Sequence, residues 1–339
     1  MKRLHILTLI SFTLAVVIFV SKRNNHTTLA SSEGLVVPKE WLKINEHPLT
    51  PAKDVRPPDQ TFLTFPEWYL VFSPEEQAQY YTHTTSTTFP FMTHTAQIWE
   101  SYAIVNNQIK DNFPPNDDYH LMIRVIGVSA SAEYSVKEWY ETVVGRLTDT
   151  YAPLTDEDRF NAKFTRDYVD FINDLPWYQF DFAKSLKELW TTTSFFGDNM
   201  GRKLERRYIL TSELMVKYIY GKLIGFGTQQ VYEEALLTTA VILENDSLVY
   251  LPRYNRFVGA ATELAKQGHR FKEIAGNNSA ILVTVLTEAG DNNPPGTQEV
   301  FIQWISSDLR WKRVALAVPV ADLHSLLQQP VRIEHVFDF

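Results

Sequence analysis

Residues 61–76, which read TFLTFPEWYLVFSPEE, gather aromatic side chains on both sides of Glu67. Aromatic residues at this density favour a packed core, an apolar groove or a broad interface. The closing SPEE has the pattern of a capping box with proline at the first helical position, which predicts a helix that begins directly after Ser73. We expect the fold to be built around this stretch, with Trp68 and Tyr69 as candidate binding residues.

Glu67 is the candidate catalytic group of the stretch. A carboxylate in an aromatic pocket is desolvated, and desolvation raises its pKa toward the range of a general acid or base. The structural alternative is a glutamate that caps a helix or pairs with a cation at a turn. No partner for Glu67 is evident in the sequence, and catalysis usually needs several groups together.

The chain begins with an apolar run at 4–20 that basic residues flank on both sides. A helix of that length, extended slightly by its flanks, spans the ~30 Å core of a bilayer. The run predicts a transmembrane anchor at 1–23, with a cleaved signal peptide and a buried soluble helix as alternatives. We expect an inner or plasma membrane location with the bulk of the chain on the extracytoplasmic side. Residues 24–60 are rich in proline and predict an extended tether.

The composition narrows the classes of function. The chain has 339 residues, 45% of them hydrophobic, which is enough for a large core and two folded domains. A formal net charge of -8 argues against nucleic-acid binding, which depends on Lys and Arg contacts to phosphates. The absence of cysteine excludes disulfides, thiolate nucleophiles and zinc–thiolate sites. No cofactor-binding motif is present, and we expect no cofactor.

Helical patterns dominate residues 61–237, which we predict to form one helical domain. The clearest helix is expected from Tyr119 to Leu147, as a central packing element. Its small-residue run at 127–132 should let another helix or the aromatic stretch approach closely. The apolar stripe expected to pack is Leu121, Val125, Val128, Ala132, Val136, Trp139, Val143 and Leu147.

The pattern changes to strands near Thr238, and residues 238–339 predict an antiparallel sheet with two helices. The run from Ala280 to Leu286 is almost wholly apolar, as a central strand covered on both faces would be. A single strand is predicted from Thr239 to Leu251. The predicted fold class is therefore α+β, with an N-terminal membrane helix, an aromatic-rich all-α middle region and a C-terminal antiparallel sheet.

Histidines and carboxylates supply the candidate metal ligands. His83, His94 and His120 would suit zinc or iron if they converged with Glu67 or with Glu133, the second candidate catalytic carboxylate. No short-range ligand spacing supports such a site. Isolated histidines separated by loops are more often surface or hydrogen-bonded core residues.

Arg202, Lys203, Arg206 and Arg207 form a basic cluster near a predicted helix N-terminus, where like charges at i,i+4 and the helix dipole are both unfavourable. An anion would relieve this repulsion. One alternative is an internal acid in the segment 156–158. The other is an external phosphate, an anionic lipid headgroup or an acidic protein partner, bound by these four candidate binding residues.

Three segments, TFLTFPEWYLVFS, YHLMIRVIGVSASAEYSVKEWYE and RDYVDFINDLPWYQFDF, resemble an uncharacterised group of bacterial membrane-anchored proteins. The resemblance covers about 61–220. It implies a bacterial inner-membrane setting and no particular activity.

Three functions remain open from the sequence. The first is a membrane-anchored, noncatalytic accessory or partner-binding protein. The second is a lipid or apolar small-molecule binding protein. The third is a carboxylate- or metal-dependent hydrolase that uses Glu67 with His94, His120 or Glu133. A flat exposed aromatic surface would favour the first, a dry apolar cavity the second, and a deep pocket that joins Glu67 to His94 or Glu133 the third.

Overall fold

The computed structural model describes residues 29–30, 36–149, 154–228 and 238–338. Within them the protein has an α+β fold with two antiparallel sheets, so the predicted fold class is confirmed at this level. The predicted transmembrane anchor at 1–23 lies outside the described residues. Among the described helices, none is long and apolar enough to cross a bilayer.

The chain divides into two compact units. Unit 1 comprises Met1–Tyr69, Thr93–Ala132 and Ala235–Phe339, and unit 2 comprises Leu70–Met92 and Glu133–Glu234. The boundaries drawn from the sequence were contiguous in the chain. The units instead combine segments that are distant in sequence, because helices from the predicted helical domain belong to the unit that holds the sheets.

Both sheets belong to unit 1. The strands are β1 Leu29–Ala30, β2 Thr238–Leu243, β3 Leu248–Pro252, β4 Phe271–Ile274, β5 Ala280–Glu288, β6 Gln298–Trp304, β7 Trp311–Pro319 and β8 Arg332–Val336. The larger sheet has the order β1-β6-β7-β5-β8, and the smaller has the order β3-β2-β4. β5 pairs with β7 on one side and β8 on the other, and its apolar residues between Ala280 and Val285 are buried, as its sequence predicts.

The single strand predicted from Thr239 to Leu251 is wrong, because β2 and β3 form an antiparallel hairpin. The turn between them uses residues whose side chains support turns. The Ser247 amide donates to Asn245 Oδ1 over 3.1 Å, and Asp246 adopts a φ of 64°. Because apolar residues stand on both sides of this turn, the sequence pattern indicates one continuous strand.

The helices are α1 Gln60–Glu67, α2 Tyr69–Tyr80, α3 Phe91–Ile109, α4 Asp117–Tyr140, α5 Asp156–Ile172, α6 Phe182–Thr192, α7 Met200–Thr228, α8 Asn255–Lys266 and α9 Leu323–Leu327. α4 continues through a π-helical turn, Glu141–Gly145, and one further α-helical turn, Arg146–Thr148. α5 begins with a reciprocal capping box formed by Thr155 and Asp158.

α1 is fixed to the larger sheet by one buried hydroxyl. Thr61 Oγ1 donates to the carbonyl oxygen of Phe337 over 2.8 Å and accepts from the amide of Leu282 over 3.0 Å. Phe65, one turn further along α1, packs edge-on against Phe301 of β6 with ring centroids 4.8 Å apart. The opening aromatic stretch is therefore part of the core of unit 1 up to Tyr69.

The helix start predicted directly after Ser73 is wrong, because α2 begins at Tyr69 and includes Pro74. Proline inside a helix removes one backbone hydrogen bond. Tyr69, Val71 and Phe72 are buried in the first turn of α2, and their burial offsets that loss.

The predicted packing face of α4 is also wrong. Most of the apolar stripe lies in solvent, with Leu121, Val125, Val128, Val136, Trp139, Val143 and Leu147 exposed. The buried residues lie on the opposite side of the helix and include Ile123, Gly127, Ala130, Ser131 and Tyr134. The predicted close approach at the small-residue run is confirmed, because a Cβ atom at Gly127 would lie 3.0 Å from the Trp99 ring. The face of α4 that packs is therefore the one that carries the small residues.

Candidate functional site

Glu67 ends α1 in unit 1 and is held by a tyrosine. The Tyr119 hydroxyl donates to Glu67 Oε2 over 2.5 Å and also lies 2.8 Å from Thr64 Oγ1. Burial raises the pKa of Glu67, while the hydrogen bond from Tyr119 and the charge of Arg253 act in the opposite direction. Glu67 therefore has the raised pKa expected from its aromatic surroundings, with a hydroxyl as its neighbour.

Trp68 and Tyr69, the candidate binding residues of the stretch, are both buried. The Trp68 ring stacks on His335 with centroids 4.0 Å apart and on Tyr254 with centroids 5.8 Å apart. These contacts give Trp68 a place in the core of unit 1. Neither residue offers a surface to a partner.

The three histidines do not converge. His94 is fully buried in unit 1, where burial and then the charge of Arg313 lower its pKa to about 3. His120 contacts Tyr102, and His83 is exposed in unit 2. In the described part of the chain, no group of three or more His, Cys, Asp or Glu side chains is arranged to hold a metal.

Glu133 belongs to a four-charge cluster in unit 2. It pairs with Lys137 over 3.1 Å and with Lys217 over 3.3 Å, and both lysines also pair with Glu213. Burial opposes the charged form of Glu133, but Lys217 and Lys137 together outweigh it and lower its pKa to about 2. Glu133 thus stays ionised at neutral pH as a counter-ion and carries no proton to donate as a general acid.

The basic cluster on α7 faces the interior of unit 2 and meets internal acids. Arg202 pairs with Asp158 over 2.8 Å, Lys203 with Asp156 over 3.1 Å and Arg207 with Glu157 over 2.6 Å. Arg206 pairs with Glu141 over 2.7 Å. All four cations are buried. The internal alternative drawn from the sequence is therefore the one that the structure shows, and it includes the segment 156–158.

An exposed apolar face is the strongest surface feature of unit 2. On α4 and the turns that extend it, the exposed residues are Val136, Trp139, Val143 and Leu147, with 63% of Trp139 and 75% of Leu147 accessible. On α7 they are Leu204, Tyr208, Met215, Val216, Ile219 and Leu223. We call these ten residues the α4–α7 face. Apolar groups on this scale mark an interaction surface more often than chance exposure.

Side-chain bonds hold the two helices of this face together. Lys137 Nζ on α4 donates to Glu213 Oε1 on α7 over 2.8 Å, and the Tyr140 hydroxyl donates to the carbonyl oxygen of Glu205 over 3.5 Å. The ion pair between Arg206 and Glu141 adds a third link. The polar sides of both helices are thereby turned inward. Their apolar sides remain outward.

Sequence reasoning identified the α4 half of this face but assigned it to the core. The signal that separates the two interpretations is the second periodic face of the helix, made of Gly, Ala, Ser and Tyr. A small-residue face packs more closely than a face of Val and Leu. The α7 half was not predicted from the sequence. The charged residues of α7 interrupt its apolar pattern, and they pair internally on the opposite side of the helix.

Comparison with known proteins adds no relative, since no protein-family model, no curated protein and no solved structure matches this chain.

Proposed function

We propose that this chain is a membrane-anchored, noncatalytic protein that binds a partner protein through the α4–α7 face. The occupant that suits this face is an amphipathic helix of the partner. The observation that carries the proposal is the outward position of Val136, Trp139, Val143 and Leu147 on one side of α4 and its extension.

The spacing of these side chains supports a helical occupant. They recur at steps of three and four residues, so they form one ridge along the helix, and the exposed residues of α7 form a second. We expect these two ridges to border a groove along the bonded helices. An amphipathic helix buries its apolar side in such a groove through ridge-into-groove packing.

Trp139 supports the proposal as an anchor residue. Tryptophan and tyrosine contribute most to binding when a partner desolvates them, and the face presents both Trp139 and Tyr208 in exposed positions. Glu141 and Glu205, which lie within three residues of these anchors in the chain, are already neutralised by Arg206. The face therefore attracts a partner mainly by apolar burial.

The membrane part of the proposal comes from the apolar run at 4–20 and from the resemblance to bacterial membrane-anchored proteins. An anchor at 1–23 would keep the folded units near the extracytoplasmic surface of the inner membrane. The partner would then be a membrane protein or an extracytoplasmic protein.

Crosslinking of the full chain in native membranes tests this function. We compare the unmodified chain with the double variant W139S and V143S, and with L309S as a matched control that removes an exposed leucine in unit 1. The same partner should be recovered with the unmodified chain and with L309S and should be lost with the double variant. A strictly monomeric protein, or equal recovery with all three chains, would contradict the proposal.

A further inference from the structure

Unit 1 contains a cavity of about 420 Å³ at the turn between α3 and α4. Its floor is buried and consists of Asp59, Ile109 and Phe113, while Lys110 and Arg124 are exposed at its rim. The other lining residues are Asn106, Pro114, Pro115, Asp117 and His120. The volume falls in the range of small-molecule sites.

Asp59, on the floor of the cavity, does not cap the helix that follows it. It immediately precedes α1 as the N-cap residue, yet its side chain makes no capping hydrogen bond. An N-cap aspartate normally accepts from an amide of the first helical turn. Asp59 is only 3% exposed, and in the described structure its carboxylate accepts from Asn116 alone, over a long 3.4 Å. Burial raises its pKa, which the hydrogen bond from Asn116 and the charge of His120 counter.

A chain of hydrogen bonds orients His120 at the cavity wall. Arg124 Nε donates to the Tyr102 hydroxyl oxygen over 3.2 Å, and that oxygen lies 2.9 Å from His120 Nδ1. Because arginine only donates, the tyrosine can give its own hydrogen to Nδ1. In the neutral imidazole, His120 then carries its remaining hydrogen on Nε2 as a donor.

Lys110 and Arg124 are the two cations at the rim of the cavity. Among the described residues, no carboxylate lies within ion-pair distance of either side chain. Guanidinium and ammonium groups at a cavity mouth recognise carboxylate or phosphate oxygens. Asp117 is also on the rim and weakens this positive potential. The walls at Ile109, Phe113 and the two prolines offer contact to a hydrocarbon group.

We propose that this cavity binds a small organic acid that also carries a hydroxyl or ammonium group and an apolar substituent. The acid group contacts Arg124 and Lys110 at the rim. The hydroxyl or ammonium group donates to Asp59 on the floor. The apolar substituent packs against Phe113 and Ile109.

A matched series of compounds tests the proposal by calorimetry and ligand-observed NMR on the detergent-solubilised full chain. Phenyllactate carries the acid and the hydroxyl, and phenylalanine carries the acid and the ammonium. Phenylpropionate lacks the donor, and phenylpropanediol lacks the acid. We expect phenyllactate or phenylalanine to bind roughly tenfold more tightly than phenylpropionate, because one charge-assisted hydrogen bond is lost. The diol should not bind.

Variants assign the binding to the cavity. R124Q should weaken the better ligand by roughly tenfold, the loss expected for one ionic hydrogen bond. R166Q removes the same charge from an exposed arginine of α5 and should change nothing. D117N should tighten binding by removing a repulsive charge from the rim. D59N should weaken the preference for the hydroxyl or ammonium compound over phenylpropionate, because the asparagine oxygen accepts without a charge. Its thermal unfolding curve reports whether unit 1 remains folded.

Three results would overturn the proposal. One is the absence of binding by both phenyllactate and phenylalanine at millimolar concentration. Another is equal binding by R124Q and the unmodified chain. The last is equal affinity for phenyllactate, phenylalanine and phenylpropionate. If phenyllactate and phenylalanine differ, the tighter of the two identifies the donor that Asp59 accepts.

Discussion

The guanidinium of Arg206 and the carboxylate of Glu141 form a two-point ion pair inside unit 2, with nitrogen–oxygen distances of 2.7 and 3.0 Å. Both side chains are buried. Glu141 is the first residue of the π-helical turn that continues α4, so this pair fixes that turn against α7. The outward direction of Val143 and Leu147 therefore depends on a bond on the inner side of the same turns.

Removal of the Glu141 charge should destabilise unit 2. We predict that E141Q lowers the free energy of unfolding by about 3 kcal/mol, because it leaves a buried guanidinium without its main counter-ion. Glu205, which also pairs with Arg206, keeps the loss from being larger. Chemical denaturation followed by tryptophan fluorescence measures the change.

The control for this prediction is a surface ion pair. Lys163 pairs with Asp167 over 2.7 Å, and both side chains are more than half exposed. K163Q should cost less than about 1 kcal/mol, as exposed pairs do. A loss for E141Q no larger than that for K163Q would show that the buried pair contributes no more than a surface one.

Acid should destabilise unit 1 through its buried histidines. Burial, and then the charge of Arg253, lower the pKa of His335 from 6.5 to about 3. The unfolded chain therefore binds a proton that the folded chain excludes, so this stability is present above pH 6.5 and lost as pH falls toward 3. Replacement by phenylalanine keeps the stacking on Trp68 and removes the titration. H335F should reduce the slope of unfolding free energy against pH by about 1.4 kcal/mol per pH unit in this window.

Asp338 titrates in the opposite sense. Burial raises its pKa to about 6, so its contribution is present below 3.8 and is lost as pH rises through 6. The effect of H335F is therefore read as a difference from the unmodified chain at each pH. An unchanged slope would mean that His335 is protonated in the folded protein.

The tyrosine beside Glu67 should control the protonation of that carboxylate. Y119F removes the hydrogen bond that lowers the pKa of Glu67, so burial should raise this pKa further. The variant should also cost about 1–3 kcal/mol, the usual penalty for leaving a buried acceptor unpaired. Carbon-detected NMR of labelled glutamate measures the pKa. A lower pKa in Y119F would contradict the assigned role of the bond.

Replacement by alanine should have very different effects on stability at two of the tryptophans. Trp139 is exposed on the α4–α7 face, so W139A should change the free energy of unfolding by no more than about 0.5 kcal/mol. Trp68 is buried against His335, so W68A should cost about 3–5 kcal/mol. A comparable loss for W139A would place Trp139 in a packed environment and remove it from the interaction surface.

Local patterns predicted much of the fold. The apolar run of β5 and the change to strands at Thr238 could both be predicted, because each signal lies within one segment. The pairing of Arg202 and Arg207 with acids in 156–158 was one of two alternatives, since charge repulsion at i,i+4 requires a counter-ion but does not choose one.

Contacts between distant segments could not be predicted in the same way. The α4 stripe had the correct period and the wrong direction, because periodicity defines a face without saying which side of the helix packs. The cavity brings Asp59 together with residues from 106 to 124. These residues are too far from Asp59 in the chain for a short sequence motif to include both. Glu67 was found as a candidate, but its neighbour Tyr119 was not.

Photocrosslinking from position 139 tests the central claim most directly. A photoreactive amino acid replaces Trp139 in the full chain in native membranes, and the same replacement at Leu309 in unit 1 serves as the control, since both positions are exposed. We predict an adduct with one partner protein from position 139, mapped by mass spectrometry to an amphipathic helix of that partner and absent from position 309. Lipid adducts alone, the same products from both positions, or no adduct from position 139 would contradict the claim that the α4–α7 face binds a partner helix.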